Sequence, residues 1–380
     1  MPVEKLGPRD ARAAVIVCLD FGEHDYEERV EEVVRLVESA GVTRHRVLGG
    51  RRHRPDPKFY AGSGKVAEMG HATEELNAAF VVFNHELSPA QQRNIERELD
   101  IRVLDRSELI IEIFAQRAQT SEGKLQVELA RLEHLSTRLV RGWTHLERQR
   151  GGFGSTGGPG ETQLELDRRY IAAKTKTLKG KLQQLQKQRT VQRRARARGE
   201  VLSVSIVGYT NAGKSTLFNA LTHAKAYEAD QLFATLDTTT RRIWLPPANP
   251  VVLSDTVGFI RDLPHTLVAA FRATLEETVR ADLLLHVVDA SSPVRETQMD
   301  EVNKVLEEIG ADEIPQLLVW NKIDAAGLQP EAERDQYGRI SRVFVSARTS
   351  AGLELLRGAI AEFGVARSAE RTPSKASISF

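Results

Sequence analysis

Residues Gly208-Tyr209-Thr210-Asn211-Ala212-Gly213-Lys214-Ser215 read G-x-x-x-x-G-K-S, and the chain is interpreted outward from them. The β-branched run 201–207 predicts a buried strand, and residues 216–221 predict the first turns of a helix. Strand, glycine loop and helix form the context of a phosphate-binding loop, whose backbone N–H groups and helix N-terminus face a polyphosphate. Lys214 would reach the β- and γ-phosphates, and Ser215 would bind Mg²⁺. Taken alone, the motif also fits a chance match in a turn.

Two further motifs predict the rest of a phosphate and metal site. The apolar run 251–254 leads into Asp255-Thr256-Val257-Gly258, where Asp255 would hold the Mg²⁺ shell, through water, and Gly258 would approach the γ-phosphate. Between the motifs lies the loop Phe233-Ala234-Thr235-Leu236-Asp237, in which Thr235 is the best candidate to complete the Mg²⁺ shell. Thr238, Thr239 and Thr240 lie in the same loop and stay open as alternatives, as does a plain solvated turn.

A base-reading element follows the next predicted strand, residues 316–320. It reads Asn321-Lys322-Ile323-Asp324, and the Asp324 carboxylate would accept from the N1–H and amine of guanine, a donor pair that adenine lacks on that edge. After the run 343–345, a backbone N–H in Ser346-Ala347-Arg348 would bind the guanine O6. Five elements in this order predict that the chain binds GTP and GDP and hydrolyses GTP, with Lys214, Thr235 and Gly258 as the catalytic set.

The motifs G-Y-T-N-A-G-K-S, F-A-T-L-D, D-T-V-G-F, N-K-I-D and S-A together resemble the HflX family of translational GTPases. The likeness extends to the segments before the GTPase region, and one departure is Thr238, where the family usually has proline. The resemblance implies binding to the large ribosomal subunit and its RNA, and separation of stalled or idle ribosomes under stress. Asn211 resembles the asparagine of potassium-dependent GTPases, so potassium is a second cofactor to test, against an ordinary loop residue.

Composition restricts the setting of the protein. Of 380 residues, 53 are Lys or Arg and 52 are Asp or Glu, so net charge identifies no partner. The single cysteine, Cys18, lies in an apolar run and is expected to be a packed core thiol in a reducing compartment. Because no apolar run approaches eighteen residues and the first ten are not signal-like, we expect a soluble, cytoplasmic protein without a membrane segment. We expect a monomer.

Residues 1–118 alternate strand and helix patterns, which predicts an α/β domain with a small parallel sheet. Within it, residues 62–65 (G-S-G-K) look like half of a phosphate loop. A tight turn that opens a helix is the favoured interpretation, and a second nucleotide site is the alternative.

Residues 119–199 predict a helical hairpin. Leucines recur every three or four residues in 125–146 and again in 164–185, as in two long helices that pack together. The connector 151–160 has six glycines and a proline, and we favour contact with a partner over a flexible tip. The run 174–198 carries ten basic residues and no acidic one, which favours nucleic-acid phosphates over a solvated linker helix.

The predicted GTPase domain spans residues 200–366, with a mostly parallel sheet and a disordered tail at 367–380. Phe259 stands where Ras-like GTPases have the glutamine that orients water, so free turnover is expected to be slow. Arg241, Arg242 and Arg261 are candidates for help in cis, and the ribosome is the favoured activator. A signalling switch that never contacts RNA is disfavoured by the basic run. An RNA-modifying enzyme is disfavoured because the sequence has no cofactor fingerprint or metal-ligand cluster.

Overall fold

A computed structural model of the chain describes residues 9–22, 25–149, 163–197, 201–222, 232–233, 235–246 and 250–371. The contacts divide it into two compact units, one of residues 1–116 with 124–181 and the other of residues 117–123 with 182–380. The glycine-rich connector 151–160, Ala234 and Arg198 lie outside the described residues. This division into two units does not test the domain boundaries predicted at residues 118, 199 and 366, which stay predictions.

The first unit contains the predicted parallel sheet. Its elements are β1 (Asp10–Val17), α1 (Tyr26–Ser39), β2 (Arg44–Leu48), α2 (Ser63–Leu76), β3 (Ala78–Phe83), α3 (Pro89–Leu99), β4 (Arg102–Leu104) and α4 (Arg106–Arg117). The strand order is β2-β1-β3-β4, and every pair is parallel. Strand β1 lies inside the sheet, and its last five residues, Ala13 to Val17, are fully buried. Apolar helices on a buried sheet explain why this region reads as alternating strand and helix patterns.

Local signals in this unit are confirmed. Ser88 caps α3 in a capping box with Gln91, and Pro89 occupies the first helical position. Cys18 is 1% exposed, as expected of a core thiol. Gly62 has φ +81° directly before α2, and Lys65 pairs with Glu68 in the first turns of that helix. Residues 62–65 therefore form a turn that opens a helix, as favoured, and the second nucleotide site stays an untested alternative.

Two long helices follow, α5 (Ser121–Gln149) and α6 (Gln163–Ala197). Their apolar positions include Leu129, Leu132, Ile171, Leu178 and Leu182, which are all less than 9% exposed. Two basic residues of the run 174–198 are paired with acidic residues of α5, since Lys174 lies 2.5 Å from Glu128 and Lys179 lies 2.8 Å from Glu133. The basic run is thus partly neutralised within the chain.

The second unit is built on a seven-stranded sheet. Its elements are β5 (Leu202–Gly208), α7 (Lys214–Thr222), β6 (Thr239–Trp244), β7 (Pro250–Asp255), α8 (His265–Ala270), α9 (Arg272–Val279), β8 (Leu283–Asp289), α10 (Arg295–Ile309), β9 (Gln316–Asn321), α11 (Ile323–Ala326), β10 (Ala332–Arg334), β11 (Ile340–Phe344) and α12 (Leu353–Arg371). The order is β10-β11-β9-β8-β5-β7-β6, with β6 and β10 antiparallel at the two edges. The mostly parallel sheet predicted from the sequence is confirmed.

Three predictions need correction. Thr239 and Thr240 are not loop residues, since they begin β6 and pair with Asp255 and Ser254. The sequence of residues 264–280 predicts one helix after the D-T-V-G motif, but the structure has two helices there, because Phe271 adopts φ −90°, ψ 6° between them. The disordered tail expected from residue 367 is wrong for 367–371, which continue α12.

Within the described residues, the helices are either too short or too polar to cross a lipid bilayer.

Candidate nucleotide-binding site

The phosphate loop lies between the central strand β5 and helix α7, and three glycines make room for it. A side chain at Gly208 (φ +149°) would collide with the backbone carbonyl of Val287 on β8. A side chain at Gly213 (φ +89°) would collide with the amide of Asn321. At Gly258, an added Cβ would lie 2.9 Å from the Lys214 Nζ and 3.0 Å from the Cα of Thr210. These close approaches explain the glycine spacing of the motif.

Lys214 is held inside this loop. Its side chain is 7% exposed, and its Nζ donates a 2.7 Å hydrogen bond to the backbone carbonyl of Tyr209. Burial lowers the pKa of Lys214 to about 8; the nearby Asp255 carboxylate opposes the shift, and Lys322 adds to it. A buried ammonium with so little compensation favours an anionic ligand, and a polyphosphate supplies that charge.

Three side-chain oxygens converge beside the loop, as expected of a Mg²⁺ site. The Ser215 hydroxyl lies 2.8 Å from the Thr235 hydroxyl and donates to the Asp255 Oδ2 at 2.7 Å, and Thr235 donates to the same atom at 3.1 Å. Burial raises the pKa of Asp255 despite these hydrogen bonds, and its Oδ1 is buried with no hydrogen-bond partner among the described residues. Hydroxyl and carboxylate oxygens are the ligands that Mg²⁺ prefers, so the residues present fit that ion.

The segment after β7 is fastened to the phosphate loop by its backbone. Thr210 N–H donates to the Phe259 carbonyl at 2.7 Å, and Phe259 N–H donates to the Gly208 carbonyl at 3.1 Å. Phe259 itself is fully buried, and its side chain carries no polar atom that could orient a water molecule. Arg261 N–H donates to the Tyr209 hydroxyl at 2.9 Å, which adds a third link.

The other two arginine candidates lie on strand β6. Arg241 pairs with Leu253 and Arg242 with Val252, two and three positions before Asp255 on the neighbouring strand β7. Both side chains are exposed.

The base-reading residues lie at the carboxyl ends of β9 and β11. Asn321 is 2% exposed; its Nδ2 donates to the Ala212 carbonyl and its Oδ1 accepts from the Ala347 N–H, both at 2.9 Å. Asn321 therefore joins the phosphate loop to the S-A-R loop. Asp324 is exposed at the start of α11, where its carboxylate is free to face a base. Lys322 pairs with Asp289 at 2.8 Å.

Sequence reasoning placed these elements correctly along the chain, and they meet at one edge of one sheet. Asp289, at the end of β8, caps the turn that follows, because its Oδ1 accepts hydrogen bonds from the N–H and the hydroxyl of Ser291. The bridging role of Asn321 was missed, and so were the partners of Asp237, whose carboxylate binds residues 119–120. No local pattern signals a contact across more than one hundred residues.

One mostly parallel sheet thus carries a phosphate loop, a cluster of oxygen ligands suited to Mg²⁺, and base-reading residues at the carboxyl ends of β9 and β11. These features together define a P-loop GTPase. Three family models match the chain in succession: "GTP-binding GTPase N-terminal" over residues 27–115, "GTP-binding GTPase Middle Region" over 117–196 and "50S ribosome-binding GTPase" over 203–322. The chain is therefore a GTP-binding GTPase whose GTPase domain matches a ribosome-binding class.

Full-length relatives narrow this class to one family. The chain is 53% identical to the GTPase HflX of Escherichia coli (strain K12), over 92% of this chain and 82% of that protein. It is 49% identical to the GTPase HflX of Magnetococcus marinus, over 86% and 76%. A solved complex of SsGBP with GDP has a TM-score of 0.50 at 26% identity, and covers 94% of this chain and 99% of that one. The chain belongs to the HflX family of GTPases, and it hydrolyses GTP.

Proposed function

We propose that this GTPase docks on the large ribosomal subunit in its GTP-bound form and separates stalled or idle ribosomes under stress. The observation that carries the proposal is a set of lysines on α6 that the chain leaves unpaired. Lys176, Lys181 and Lys187 are exposed and have no ion-pair partner among the described residues, in contrast to Lys174 and Lys179. Unpaired lysines along one helix suit the phosphates of a folded RNA.

Within the GTPase site, we propose that Ser215 and Thr235 ligate Mg²⁺ directly and that Asp255 acts through water. Lys214 and the N–H of Gly258 would hold the β- and γ-phosphates, and the backbone of residues 208–215 would surround them. This assignment is supported by the oxygen cluster and by the buried, partnerless Oδ1 of Asp255. Asn211, at φ +59° in the same loop, is the candidate for a potassium ion beside the phosphates.

For the base, we propose that Asp324 reads guanine from the exposed start of α11. The Ser346 N–H donates to the Ala351 carbonyl, and the Ala347 N–H donates to the Asn321 Oδ1. We therefore propose two candidates for the backbone donor to the guanine O6. Either the Ala347 N–H is shared between Asn321 Oδ1 and the O6, or the Arg348 N–H binds the O6. The remaining residues of the predicted site, 233–234, 236–237, 256–257 and 322–323, would surround the nucleotide as loop backbone.

Free turnover is proposed to be slow because Phe259 stands at the position of the water-orienting glutamine of Ras-like GTPases. Phe259 has no polar atom on its side chain and is buried in the core. Arg261 has its backbone tied to Tyr209, while Arg241 and Arg242 project from strand β6. An activator that supplies an ordered water or a charge is worth 10²-fold or more in related chemistry. The large subunit is the proposed activator, and the protein is proposed to be a cytoplasmic monomer.

Co-sedimentation tests the docking proposal. The protein is mixed with purified large or small subunits, with GDP or with a non-hydrolysable GTP analogue, across a series of salt concentrations. We expect binding to the large subunit, stronger with the analogue, that weakens steeply as salt rises. The triple variant Lys176→Gln/Lys181→Gln/Lys187→Gln should bind more weakly and with a salt slope lower by about one per lost phosphate contact.

The paired lysines supply the matched control. The double variant Lys174→Gln/Lys179→Gln removes positive charge from the same helix at positions that already face Glu128 and Glu133, so it should change ribosome binding less. Equal losses in the two variants would remove the unpaired lysines as the docking feature. Absence of binding at low salt would favour the signalling-switch function instead.

A further inference from the structure

The loop that carries Thr235 has a second attachment, two residues further along. The Asp237 carboxylate accepts hydrogen bonds from the backbone N–H groups of Gln119 at 2.9 Å and Thr120 at 3.0 Å, and from the Thr120 hydroxyl. Residues 117–123 belong to the same compact unit as the GTPase sheet. Three donors on one carboxylate form a strong, charge-assisted contact.

The donors lie directly before the first turn of the long helix α5. Thr120 directly precedes α5 and caps it, because its hydroxyl oxygen accepts from the N–H of Gly123 at 2.9 Å. The same hydroxyl donates its proton to Asp237, so both of its hydrogen-bonding functions are used. The N-terminus of a helix carries partial positive charge, which adds to the attraction for the carboxylate.

Gly123 leaves room for the Asp237 carboxylate because it has no side chain. It lies in the first turn of α5, where glycine costs a helix about 1 kcal/mol relative to alanine. A Cβ at this position would overlap the Oδ1 of Asp237. A glycine at position 123, although unfavourable in a helix, is therefore explained by the space that the Asp237 carboxylate occupies.

The attachment restrains Thr235 because the intervening chain is short. Leu236 separates the two residues and is 2% exposed, and two extended residues span at most about 7 Å. On the far side, Thr239 is paired with Asp255 at the start of β6. The loop is thus held at Asp237 and at Thr239, directly after the position from which Thr235 reaches Ser215 and Asp255.

We propose that Asp237 is a positioning residue, which holds Thr235 in its metal-ligating position by anchoring the loop to the first turn of α5. This rests on the proposed role of Thr235 at the Mg²⁺ ion. This contact favours the loop conformation that binds GTP with Mg²⁺. Because the Gln119 and Thr120 N–H groups make the contact, their hydrogen exchange reports on that conformation. The Asp237 carboxylate acts through Thr235 and does not itself touch the nucleotide, because its oxygens bind Gln119 and Thr120.

A simpler role is a helix cap that stabilises α5 whatever nucleotide is bound. The two roles differ in what they predict for GDP. A cap alone would change the melting temperature and would affect GDP and GTP binding alike. A positioning residue changes the binding of a GTP analogue with Mg²⁺ and leaves GDP nearly unchanged, since Thr235 contacts the metal and γ-phosphate side only.

The test measures affinities of the full-length protein for fluorescent GDP and for a fluorescent non-hydrolysable GTP analogue, each over a Mg²⁺ titration. In Asp237→Ala, we expect the Mg²⁺ concentration for half-maximal analogue binding to rise by on the order of tenfold, the scale of a lost charge-assisted contact. GDP affinity should stay within about twofold. Asp312→Ala, which removes an exposed carboxylate elsewhere in the same unit, is the matched control and should match wild type.

Two more variants approach the contact from the α5 side. Gly123→Ala improves helix propensity but displaces the carboxylate, so a loss of analogue binding in a protein with an undiminished melting temperature supports positioning. Thr120→Val removes the hydroxyl donor, and Thr120→Ser restores it and should bind as wild type. In wild type, hydrogen exchange at the amides of 119 and 120 should be slower with the analogue and Mg²⁺ than with GDP.

Thr235→Ala serves as the reference that separates the two proposals. If Thr235→Ala loses Mg²⁺-dependent analogue binding while Asp237→Ala behaves as wild type, the positioning role is overturned and the metal role of Thr235 stands. Equal losses for GDP and analogue in Asp237→Ala reduce it to a helix cap and also overturn the proposal. If Thr235→Ala itself binds the analogue normally, the metal role of Thr235 falls, and positioning falls with it.

Discussion

Replacement of Asn321 by alanine should remove the hydrogen bonds that join the phosphate loop to the base-side loop 346–348. The Asn321 amide makes two buried hydrogen bonds, one to the Ala212 carbonyl in the phosphate loop and one from the Ala347 N–H in the base-side loop. Each bond contributes about 0.5–1.5 kcal/mol net, and each buried group left without a partner costs about 1–3 kcal/mol. Because Ala212 and Ala347 are 1% and 6% exposed, water reaches them poorly. We expect a loss of about 2–4 kcal/mol in the free energy of unfolding.

Two measurements check this value. Urea unfolding of the nucleotide-free protein, followed by tryptophan fluorescence, gives the change in stability, and titration with fluorescent GDP gives the change in affinity. GDP should bind at least about tenfold more weakly, because both loops that contact the nucleotide lose their mutual support. Asn303→Ala removes an exposed asparagine on α10 and is the control. A stability change below about 0.5 kcal/mol with unchanged GDP affinity would refute the bridging role of Asn321.

Four further predictions concern single residues. Lys214→Ala should lower GTP turnover at least about hundredfold without lowering the melting temperature, since the lysine is buried at a cost; a normal rate would remove it from the site. Asp324→Asn should weaken GTP and favour xanthosine triphosphate in competition assays, and an unchanged preference for GTP would remove Asp324 from base reading. His286 titrates near 6.5 when unfolded, but burial lowers its folded pKa to about 4, so stability falls as pH drops through this window. Wild type should lose about 2 kcal/mol more than His286→Gln between pH 7 and pH 5 in urea unfolding, and parallel profiles would contradict this. If Asn211 holds potassium, hydrolysis is faster in potassium than in sodium and Asn211→Ala removes the difference; equal rates exclude the ion.

The sequence specified the GTPase fold and the positions of its motifs because each motif couples a local backbone requirement to a fixed residue type. The glycines of the phosphate loop show this directly, since a side chain at Gly208 or Gly213 would collide with β8 or with Asn321. Such requirements act over a few residues and leave a readable pattern. The same holds for the cap of α3 at Ser88.

Features that depend on partners distant in sequence were not predictable in the same way. Thr239 and Thr240 were expected in the loop that carries Thr235, but they begin strand β6 by pairing with Asp255 and Ser254 of β7 at the sheet edge. Asp237 finds its donors 117 and 118 residues away. The basic run on α6 looked unpaired in the sequence, yet α5 supplies Glu128 and Glu133 to two of its lysines.

Slow free turnover and activation by the ribosome are proposed together: the ribosome would supply the water-orienting group or charge that the Phe259 side chain lacks. The most direct measurement is GTP turnover by the full-length protein, alone and with purified large subunits, at low and at moderate salt, with small subunits as the control. We expect large subunits to raise the rate at least about tenfold at low salt, added salt to remove the effect steeply, and small subunits not to reproduce it. Turnover that is unchanged by large subunits at low salt would contradict the claim.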